Sequence, residues 1–305
     1  MVNNRYKDKY IFLGDCNSIN IEIVCKAFPK IKKYIRYIII GNKCELQKYL
    51  IRIKSKLKIN EIINPLNFNE CKKELLNIFN IQNNFSKKYL NLINQIKLAN
   101  LLCNQTNKDL ITMPINKAIF KKKINFNGMT EYLGEINNTK TMMLMLGNKF
   151  SVVPYTTHIS PKDVHKNINN YRLKSFLKSL IKFTSNKSYC LDFKHITFLC
   201  YNPHCGESQT MGGEDRNIAN VIKKFKRIKG PYSADSAFIK TRDKNLFISC
   251  YHDQGLIPFK TLNKEGINFT LGLKYRRLSP AHGTASDIKY KNLADDSSYL
   301  TCMRI

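Results

Sequence analysis

The chain has no hydrophobic run long enough to cross a membrane. A membrane-spanning helix needs about 18 or more apolar residues in succession, and no stretch of the 305 residues approaches that length. The opening segment, Met1-Val2-Asn3-Asn4-Arg5-Tyr6, has none of the features of a secretory signal. The sequence therefore predicts a soluble, cytoplasmic protein with no membrane partner.

The sequence also has no Cys-x-x-Cys pair, although it contains ten cysteines. Small secreted domains use dense cysteine patterns as disulfide frameworks, whereas a chain of this length can bury a core without them. We therefore expect the ten cysteines to be reduced thiols.

Acidic residues are scarce, since 22 Asp and Glu stand against 51 Lys and Arg, and the formal net charge is +29. Such a balance is typical of proteins that bind nucleic acid or an anionic membrane surface. However, the lysines are spread along the chain among many Asn, Ile, Tyr and Phe residues, and no DNA- or RNA-binding motif accompanies them. A drift toward A- and T-rich codons gives the same composition without any function, so the charge does not by itself favour nucleic acid.

Short apolar runs alternate with helical spacing in the first half of the chain. Tyr10-Ile11-Phe12-Leu13 and Tyr37-Ile38-Ile39-Ile40 predict strands, and the spacing of Leu46, Leu50 and Ile53 predicts a helix. The pattern from 68 to 104 is also helical. Alternation of buried strands with helices is typical of a mostly parallel sheet covered on both faces. We expect an α/β fold with two domains of unequal size.

Three histidines occupy equivalent places in the second half, each just past an apolar, strand-like run. They are His158, His204 and His252. Strands of a parallel sheet bring their carboxyl ends to one edge, where α/β proteins bind ligands. Imidazoles from that edge predict a divalent-metal site with an open position for a substrate oxygen. They lack a compact motif such as His-Glu-x-x-His, so a structural role for dispersed histidines is the alternative.

A set of polar side chains follows in an otherwise apolar segment. Lys260, Asn268 and Arg277 predict a pocket for an anion, because arginine contacts phosphate or carboxylate through two hydrogen bonds and lysine adds a mobile charge. Solvated surface charge is the alternative, which suits Lys260 better than Arg277, because Arg277 lies in a segment punctuated by Gly and Ser.

The turn His282-Gly283-Thr284-Ala285, followed by Asp287, is suited to a nucleotide. Glycine permits close approach of the backbone, and a helix N-terminus favours phosphate. The alternative is a set of loop-capping residues with a helix N-cap at Ser279 or Thr284.

Eight motifs occur in the order found in the 4-hydroxythreonine-4-phosphate dehydrogenase family of pyridoxal phosphate (vitamin B6) biosynthesis, which the chain resembles over nearly its whole length. The motifs are Thr112-Met113-Pro114-Ile115-Asn116-Lys117, Gly128-Met129-Thr130-Glu131, Thr156-Thr157-His158-Ile159, Asn202-Pro203-His204-Cys205-Gly206-Glu207, Ala234-Asp235-Ser236, Tyr251-His252-Asp253-Gln254-Gly255, Asn268-Phe269-Thr270-Leu271-Gly272-Leu273 and His282-Gly283-Thr284-Ala285. Several ordered motifs together are more specific than any single one.

The resemblance implies two α/β/α domains with a cleft between them, similar to isocitrate and isopropylmalate dehydrogenases. The first domain is expected to contain residues 1–127 and 285–305, and the second, with the metal ligands, residues 128–284. The activity implied is an NAD-dependent oxidation of 4-phosphooxy-L-threonine, with loss of carbon dioxide to give 3-amino-2-oxopropyl phosphate. The implied cofactors are NAD and a divalent metal such as zinc, magnesium or cobalt. The implied assembly is a homodimer with the site shared across its interface.

The resemblance also assigns roles to individual residues. The metal ligands are expected to be His158, His204 and His252. The contacts to the phosphorylated substrate are expected to be Thr130, Lys260, Asn268 and Arg277. NAD is expected to bind His282, Gly283, Thr284, Ala285 and Asp287. Proton movement is expected to involve Lys260 or Asp253, and the sequence does not choose between them.

The chain departs from the family pattern in three places. Met129 stands where the family usually has a histidine before Thr130, and methionine can neither donate a hydrogen bond nor exchange a proton. The loop that begins at Gly14 has few of the usual Gly and Pro residues, and Lys289 and Tyr290 replace small residues. Two alternatives therefore stay open: the same chemistry on another phosphorylated hydroxy acid, and a decayed, non-catalytic relative that binds nucleic acid or serves as a silent partner subunit.

Overall fold

The computed structural model describes residues 7–83, 86–121, 123, 124, 126–239 and 244–305. The chain divides into two compact units, Met1–Thr139 with Leu273–Ile305 and Lys140–Gly272. Residues 1–6, in which the sequence shows no secretory signal, lie outside the described ranges. None of the helices in those ranges combines the length and the apolar character that a membrane span requires.

The first unit contains a parallel sheet with strand order β3-β4-β2-β1-β5-β12. Its strands are β1 (Lys7–Phe12), β2 (Ile35–Gly41), β3 (Ile59–Glu61), β4 (Leu76–Asn80), β5 (Asp109–Thr112) and β12 (Arg277–Pro280). Its helices are α1 (Asn20–Ile31), α2 (Lys43–Arg52), α3 (Lys88–Thr106), α4 (Met129–Ile136) and α10 (Ser297–Arg304). The continuous apolar runs of β1 and β2 are fully buried, as expected for strands covered on both faces.

The second unit contains a mixed sheet with strand order β11-β6-β7-β10-β8-β9. Its strands are β6 (Met142–Leu146), β7 (Ser151–Pro154), β8 (His195–Leu199), β9 (Ile228–Tyr232), β10 (Asn245–Ser249) and β11 (Ile267–Leu271). Its helices are α5 (Pro161–Asn167), α6 (Asn170–Thr184), α7 (Glu214–Ile222), α8 (Ala234–Ala237) and α9 (His252–Leu262). The strands from β7 to β9 are parallel, and β6 is antiparallel to β7 and β11.

The region from 68 to 104 differs from the expected helix. It contains a short 3-10 turn at Phe68–Glu70, then strand β4, and only then helix α3. Leu76 and Ile78 of β4 are fully buried, and the strand pairs with β2 on one side and β3 on the other. The interspersed asparagines hide a strand of five residues, because a short apolar run gives no clear period.

The division of the chain also differs from the expected domain limits. Residues 128–139 and 273–284 lie in the first unit instead of the second. Helix α4 belongs there because Tyr132 and Leu133 pack into the apolar cluster beneath α3. Strand β12 belongs there because it pairs with β5.

Two buried charges, Lys9 on β1 and Asp109 on β5, and the half-buried Arg276 just before β12 form a network in the first unit. Lys9 Nζ lies 2.8 Å from Asp109 Oδ2, and Arg276 Nε donates to Asp109 Oδ1 at 2.8 Å. Burial opposes ionisation of Asp109, but the hydrogen bonds and charges of Arg276 and Lys9 outweigh it and lower the pKa of this carboxyl group. The carboxylate is therefore the ionised form at neutral pH.

Candidate functional site

The three predicted histidines all follow strands of the second unit. His158 comes after β7, His204 after β8, and His252 is the first residue of α9, just beyond β10. Because β10 runs parallel to both β7 and β8 and lies between them, the carboxyl ends of these strands share one edge of the sheet. The strand-end placement predicted from the sequence is therefore confirmed.

Two of the histidines are close neighbours at that edge. The ring centroids of His158 and His252 are 5.9 Å apart. His252 Nδ1 lies 2.6 Å from Asp253 Oδ1, so a proton on Nδ1 leaves the Nε2 lone pair available to a ligand. Asp253, predicted as a proton carrier, thus contacts a predicted metal ligand; its catalytic role stays a prediction.

His204 lies beside a different carboxylate, with Nδ1 3.9 Å from Asp235 Oδ2. A hydrogen bond from the Ser233 hydroxyl at 2.5 Å and one from the Ser236 N–H lower the pKa of Asp235. The sequence pattern included Asp235 in a motif but gave it no role. Within the described ranges, no three His, Cys, Asp or Glu side chains of the single chain are placed to enclose one metal ion.

The loop around His204 has an unusual backbone. Six successive residues, 204–209, have positive φ angles of 40° to 78°. A disulfide joins Cys200 to Cys205, with Cα atoms 5.1 Å apart, so the expectation of ten reduced thiols is wrong for this pair. The other eight cysteines are free. The spacing of five residues gave no signal, because only the left-handed turn brings the two sulfur atoms together.

A buried carboxylate holds the start of the same loop. Asp215, in the first turn of α7, accepts hydrogen bonds from the N–H groups of Tyr201 and Asn202 at 2.6 and 3.0 Å, and from Asn202 Nδ2 at 3.0 Å. The sequence pattern assigns no role to Asp215. Its position just after two glycines resembles an ordinary helix start, and the contact with a loop 13 residues earlier along the chain is visible only in the structure.

In the first unit, the predicted substrate residues Arg277 and Thr130 meet. Arg277 Nε donates to Thr112 Oγ1 at 2.8 Å, and Nη1 donates to Thr130 Oγ1 at 3.4 Å. Arg277 begins β12 instead of lying in a loop, and its exposure is 3%. Burial lowers the pKa of Arg277 to about 10, so the guanidinium is still charged at neutral pH. Both threonines are buried around this charge.

The other two predicted substrate residues belong to the second unit. Lys260 is exposed on α9. Asn268 lies on β11 opposite Met145, and its buried Oδ1 has no hydrogen-bond partner among the residues that the structure describes. An unsatisfied buried amide oxygen costs about 1–3 kcal/mol, so it is an observation that favours a ligand with a hydrogen-bond donor at Asn268.

The predicted NAD turn begins directly after β12. His282 Nδ1 contacts the carbonyl oxygen of Gly283 at 2.8 Å, and burial lowers the pKa of His282. Its buried Nε2 has no hydrogen-bond partner within the described ranges. A side chain built at Gly283 would meet nothing within 4 Å, which leaves room for a ligand. Asp287 lies in a 3-10 turn of three residues, Ser286–Ile288, so the expected helix N-terminus for phosphate is absent at this turn.

A polar cavity of about 420 Å³ lies near this turn in the first unit. Its lining includes Asn17, Asn42, Glu45, Lys88 and Lys289. The N–H of Ile19, at the start of α1, donates to the carbonyl oxygen of Thr284 at 3.1 Å and joins the turn to the loop after β1. Pockets of roughly 300–1,000 Å³ hold small molecules, so this cavity is large enough for one nucleotide half of NAD.

Two solved structures share this fold. The crystal structure of 4-hydroxythreonine-4-phosphate dehydrogenase from Klebsiella pneumoniae matches with a TM-score of 0.80 and 24% identity, over 98% of each chain. A terephthalate 1,2-cis-dihydrodiol dehydrogenase from Burkholderia xenovorans LB400 matches with a TM-score of 0.61 and 18% identity, over 98% of this chain and 97% of that one. These likenesses confirm the α/β fold class.

Sequence relatives define the class of protein and then the family. A 4-hydroxythreonine-4-phosphate dehydrogenase of Sulfurihydrogenibium sp. (strain YO3AOP1) is 34% identical over 309 residues, 97% of this chain and 96% of the relative. One from Campylobacter fetus subsp. fetus (strain 82-40) is 32% identical over 308 residues, 96% and 95% of the two chains. The chain is thus an oxidoreductase of the dehydrogenase class. The model of the family described as "Pyridoxal phosphate biosynthetic protein PdxA" matches residues 33–305, and the chain belongs to that family.

Proposed function

We propose that the protein oxidises 4-phosphooxy-L-threonine with NAD and a divalent metal, and that the product loses carbon dioxide to give 3-amino-2-oxopropyl phosphate. The proposal places this reaction in the cytoplasm. The observation that carries it is the pair of imidazoles, His158 and His252, 5.9 Å apart at the carboxyl edge of a parallel sheet. The names of the relatives support the choice of substrate.

The residues at this edge fit a divalent metal. Imidazoles that bind one ion at about 2.1 Å place their ring centroids roughly 5–6 Å apart, which agrees with the separation of His158 and His252. The carboxylate of Asp253 at His252 Nδ1 is the outer contact that commonly orients a metal-bound histidine. We propose zinc, magnesium or cobalt as the ion, with His204 as the third ligand. A bound divalent ion would lower the pKa of a substrate hydroxyl and stabilise developing negative charge on oxygen.

The side chains of this protein would bind and orient the reactant. Arg277 and Thr130 would hold an anionic group of the substrate, since a buried, charged guanidinium beside hydroxyl groups favours phosphate or carboxylate. The Oδ1 of Asn268 would accept a hydrogen bond from an N–H or O–H group of the substrate, and Lys260 would add a mobile positive charge.

The proposed oxidation moves one hydride and one proton. NAD would accept the hydride of the hydroxyl-bearing carbon, and Lys260 and Asp253 are the candidate bases for the hydroxyl proton. The β-keto acid that results then loses its carboxyl group as carbon dioxide, and the remaining carbon takes up a proton. His282, Gly283, Thr284, Ala285 and Asp287 would bind NAD; the buried, unpartnered Nε2 of His282 supports this assignment.

We further propose a homodimer with the metal site at the interface. Helix α9 begins at His252 and exposes two apolar side chains, with exposures of 65% for Ile257 and 38% for Leu262. Exposed apolar side chains on a helix favour association with another surface. In the described part of one chain the three histidines do not enclose an ion, which supports a ligand contributed by a second copy.

The test combines metal content with NADH formation. Purified protein is stripped with a chelator, reloaded with Zn²⁺, Mg²⁺ or Co²⁺, and assayed with NAD and 4-phosphooxy-L-threonine. We expect activity only in the reloaded protein and loss of both metal and activity in His252→Ala and His204→Ala, with His195→Ala, on β8, as the control. Full activity in the metal-free protein would contradict the metal role, and no NADH from any loaded form would contradict the substrate.

One observation favours a second substrate. Met129 occupies the place of the usual family histidine and packs, partly buried, against the apolar cluster of the first unit. It therefore stabilises the core next to Thr130 and supplies no proton. A related phosphorylated hydroxy acid that needs no contact at this position is the second candidate, and the same assay with several such acids, compared by kcat/KM, distinguishes the two.

A further inference from the structure

A chain of hydrogen bonds joins the ends of the three strands that precede the histidines. Thr156 Oγ1, just beyond β7, donates to the carbonyl oxygen of Cys250 at 2.7 Å, and the Thr156 N–H donates to the same oxygen at 3.2 Å. The N–H of Cys250, just beyond β10, donates to Gln254 Oε1 at 2.7 Å. Gln254 Nε2 in turn donates to the carbonyl oxygen of Cys200, just beyond β8, at 2.7 Å.

We call Thr156, Gln254 and the backbones of Cys200 and Cys250 the brace. Its residues lie close to the three histidines in the sequence. His158 is two residues after Thr156, His252 is two residues after Cys250, and His204 is four residues after Cys200. A shift of any one strand end would therefore move its imidazole. Thr156 is buried, and its hydroxyl adds a second hydrogen bond to a Cys250 oxygen that already accepts the Thr156 N–H. Gln254 satisfies the Cys250 N–H and the Cys200 carbonyl oxygen with neutral groups.

We propose that Thr156 and Gln254 are positioning residues that fix the ends of β7, β10 and β8, and with them the histidines that each chain contributes to a metal site shared between two copies, and thereby set the affinity of that site. Neither side chain needs to touch the ion. Gln254 is suited to this task because its amide supplies one acceptor and one donor, which it uses on two different strands. The inference rests on the proposed metal site of the protein and assigns a role to residues outside its set of ligands.

The brace is expected to act on affinity as other outer contacts of metal ligands do. Loss of such a contact typically weakens metal binding by about 10- to 100-fold. Gln254→Met keeps the length of the side chain and removes both hydrogen bonds. Thr156→Val keeps the shape and removes the hydroxyl donor, whereas Thr156→Ser keeps the donor. Gln47→Met, at an exposed glutamine of α2, is the matched control for the amide substitution.

The experiment measures the Kd of Co²⁺ by competition with a chromophoric chelator, together with the visible spectrum of bound Co²⁺ and the melting temperature of each full-length variant. We expect Gln254→Met and Thr156→Val to bind Co²⁺ about 10- to 100-fold more weakly and with an altered spectrum. Thr156→Ser and Gln47→Met should match the wild type.

Two results would overturn the inference, and they differ from each other. Folded Gln254→Met and Thr156→Val that bind Co²⁺ as tightly as the wild type, with the same spectrum, would show that the brace is only structural, and the metal site itself would stand. A wild type that binds no Co²⁺ would refute the metal site and the brace together. If Gln254→Met fails to fold, the two variants of Thr156 still test the inference. Thr156→Val removes the hydroxyl donor and Thr156→Ser keeps it, so only Thr156→Val should weaken Co²⁺ binding.

Discussion

The two units of the molecule stabilise their strands by opposite means. In the first unit, the buried Lys9 and Asp109 form a charge network with the half-buried Arg276, and Arg277 is buried against threonine hydroxyls. In the second unit, the histidine-bearing strand ends are joined by neutral hydrogen bonds of Thr156 and Gln254. Buried charge is strongly penalised when a partner is lost, whereas neutral bonds are cheaper to change. The comparison is consistent with our proposal that the first unit binds an anionic group of the substrate and the second a divalent cation.

The largest expected effect is a loss of stability when the charge network around Asp109 is broken. Asp109→Asn removes the carboxylate that contacts both Lys9 and Arg276, and breaking a buried ion pair costs about 3–5 kcal/mol. Urea unfolding followed by circular dichroism measures the loss. Asp163→Asn, which removes the exposed partner of Lys166 on α5, is the control and should cost less than about 1 kcal/mol. Equal midpoints for the two variants would contradict the contrast between buried and exposed pairs.

The same network predicts a dependence of stability on pH. The pKa of Asp109 is lowered in the folded protein, so its stabilisation is fully present above the unfolded carboxyl value of about 3.9 and is lost as the pH falls through the lowered value. Melting temperatures measured from pH 7 to pH 2 should therefore fall less steeply in Asp109→Asn than in the wild type. Parallel curves for the two proteins would be the contrary result.

The next largest expected effect is on KM, through the proposed anion site around Arg277 in the first unit. Arg277→Lys keeps the charge but removes the planar group that reaches both Thr112 and Thr130. A hydrogen bond to a charged group contributes about 1.5–3 kcal/mol, so we expect KM for the phosphorylated substrate to rise by about 10- to 100-fold. Metal affinity is the internal control and should not change. An unchanged KM would remove Arg277 from the substrate site.

A smaller effect is expected on the affinity for metal at the proposed cation site of the second unit. Asp253→Asn removes the carboxylate at His252 Nδ1, and the loss of this outer contact should weaken Co²⁺ binding about 10-fold. A titration of kcat with metal separates this role from proton transfer. If Asp253 only orients His252, saturating metal restores kcat; if Asp253 carries the proton, kcat stays low at every metal concentration.

The smallest effect is expected at Met129. Met129→His restores the usual family residue but takes a side chain away from the apolar cluster of the first unit. We expect a loss of about 1–2 kcal/mol in stability, because a polar ring replaces packed thioether atoms, and a change of a few-fold in kcat/KM. Thermal melting and NADH assays on the two proteins measure both quantities. A gain in stability would show that Met129 does not serve the core.

The sequence sufficed for the features that depend on local pattern. The α/β alternation and the placement of His158, His204 and His252 at strand ends follow from short apolar runs with polar ends. Strand β4 was missed because asparagines interrupt its apolar residues. Long-range partners were missed for a different reason: Lys9 and Asp109 are 100 residues apart, and Asp215 and Gln254 act on backbone atoms of distant loops. No local pattern specifies a hydrogen bond to a backbone group far along the chain.

The left-handed segment at 204–209 fixes the backbone that carries His204. A non-glycine residue in that conformation costs about 1–2 kcal/mol relative to its right-handed form, and five of the six residues are not glycine. The disulfide and the Asp215 carboxylate hold the loop against that cost in the protein itself. If His204 binds the proposed ion, the ion would meet an imidazole whose backbone is already ordered, and binding would not have to supply that ordering.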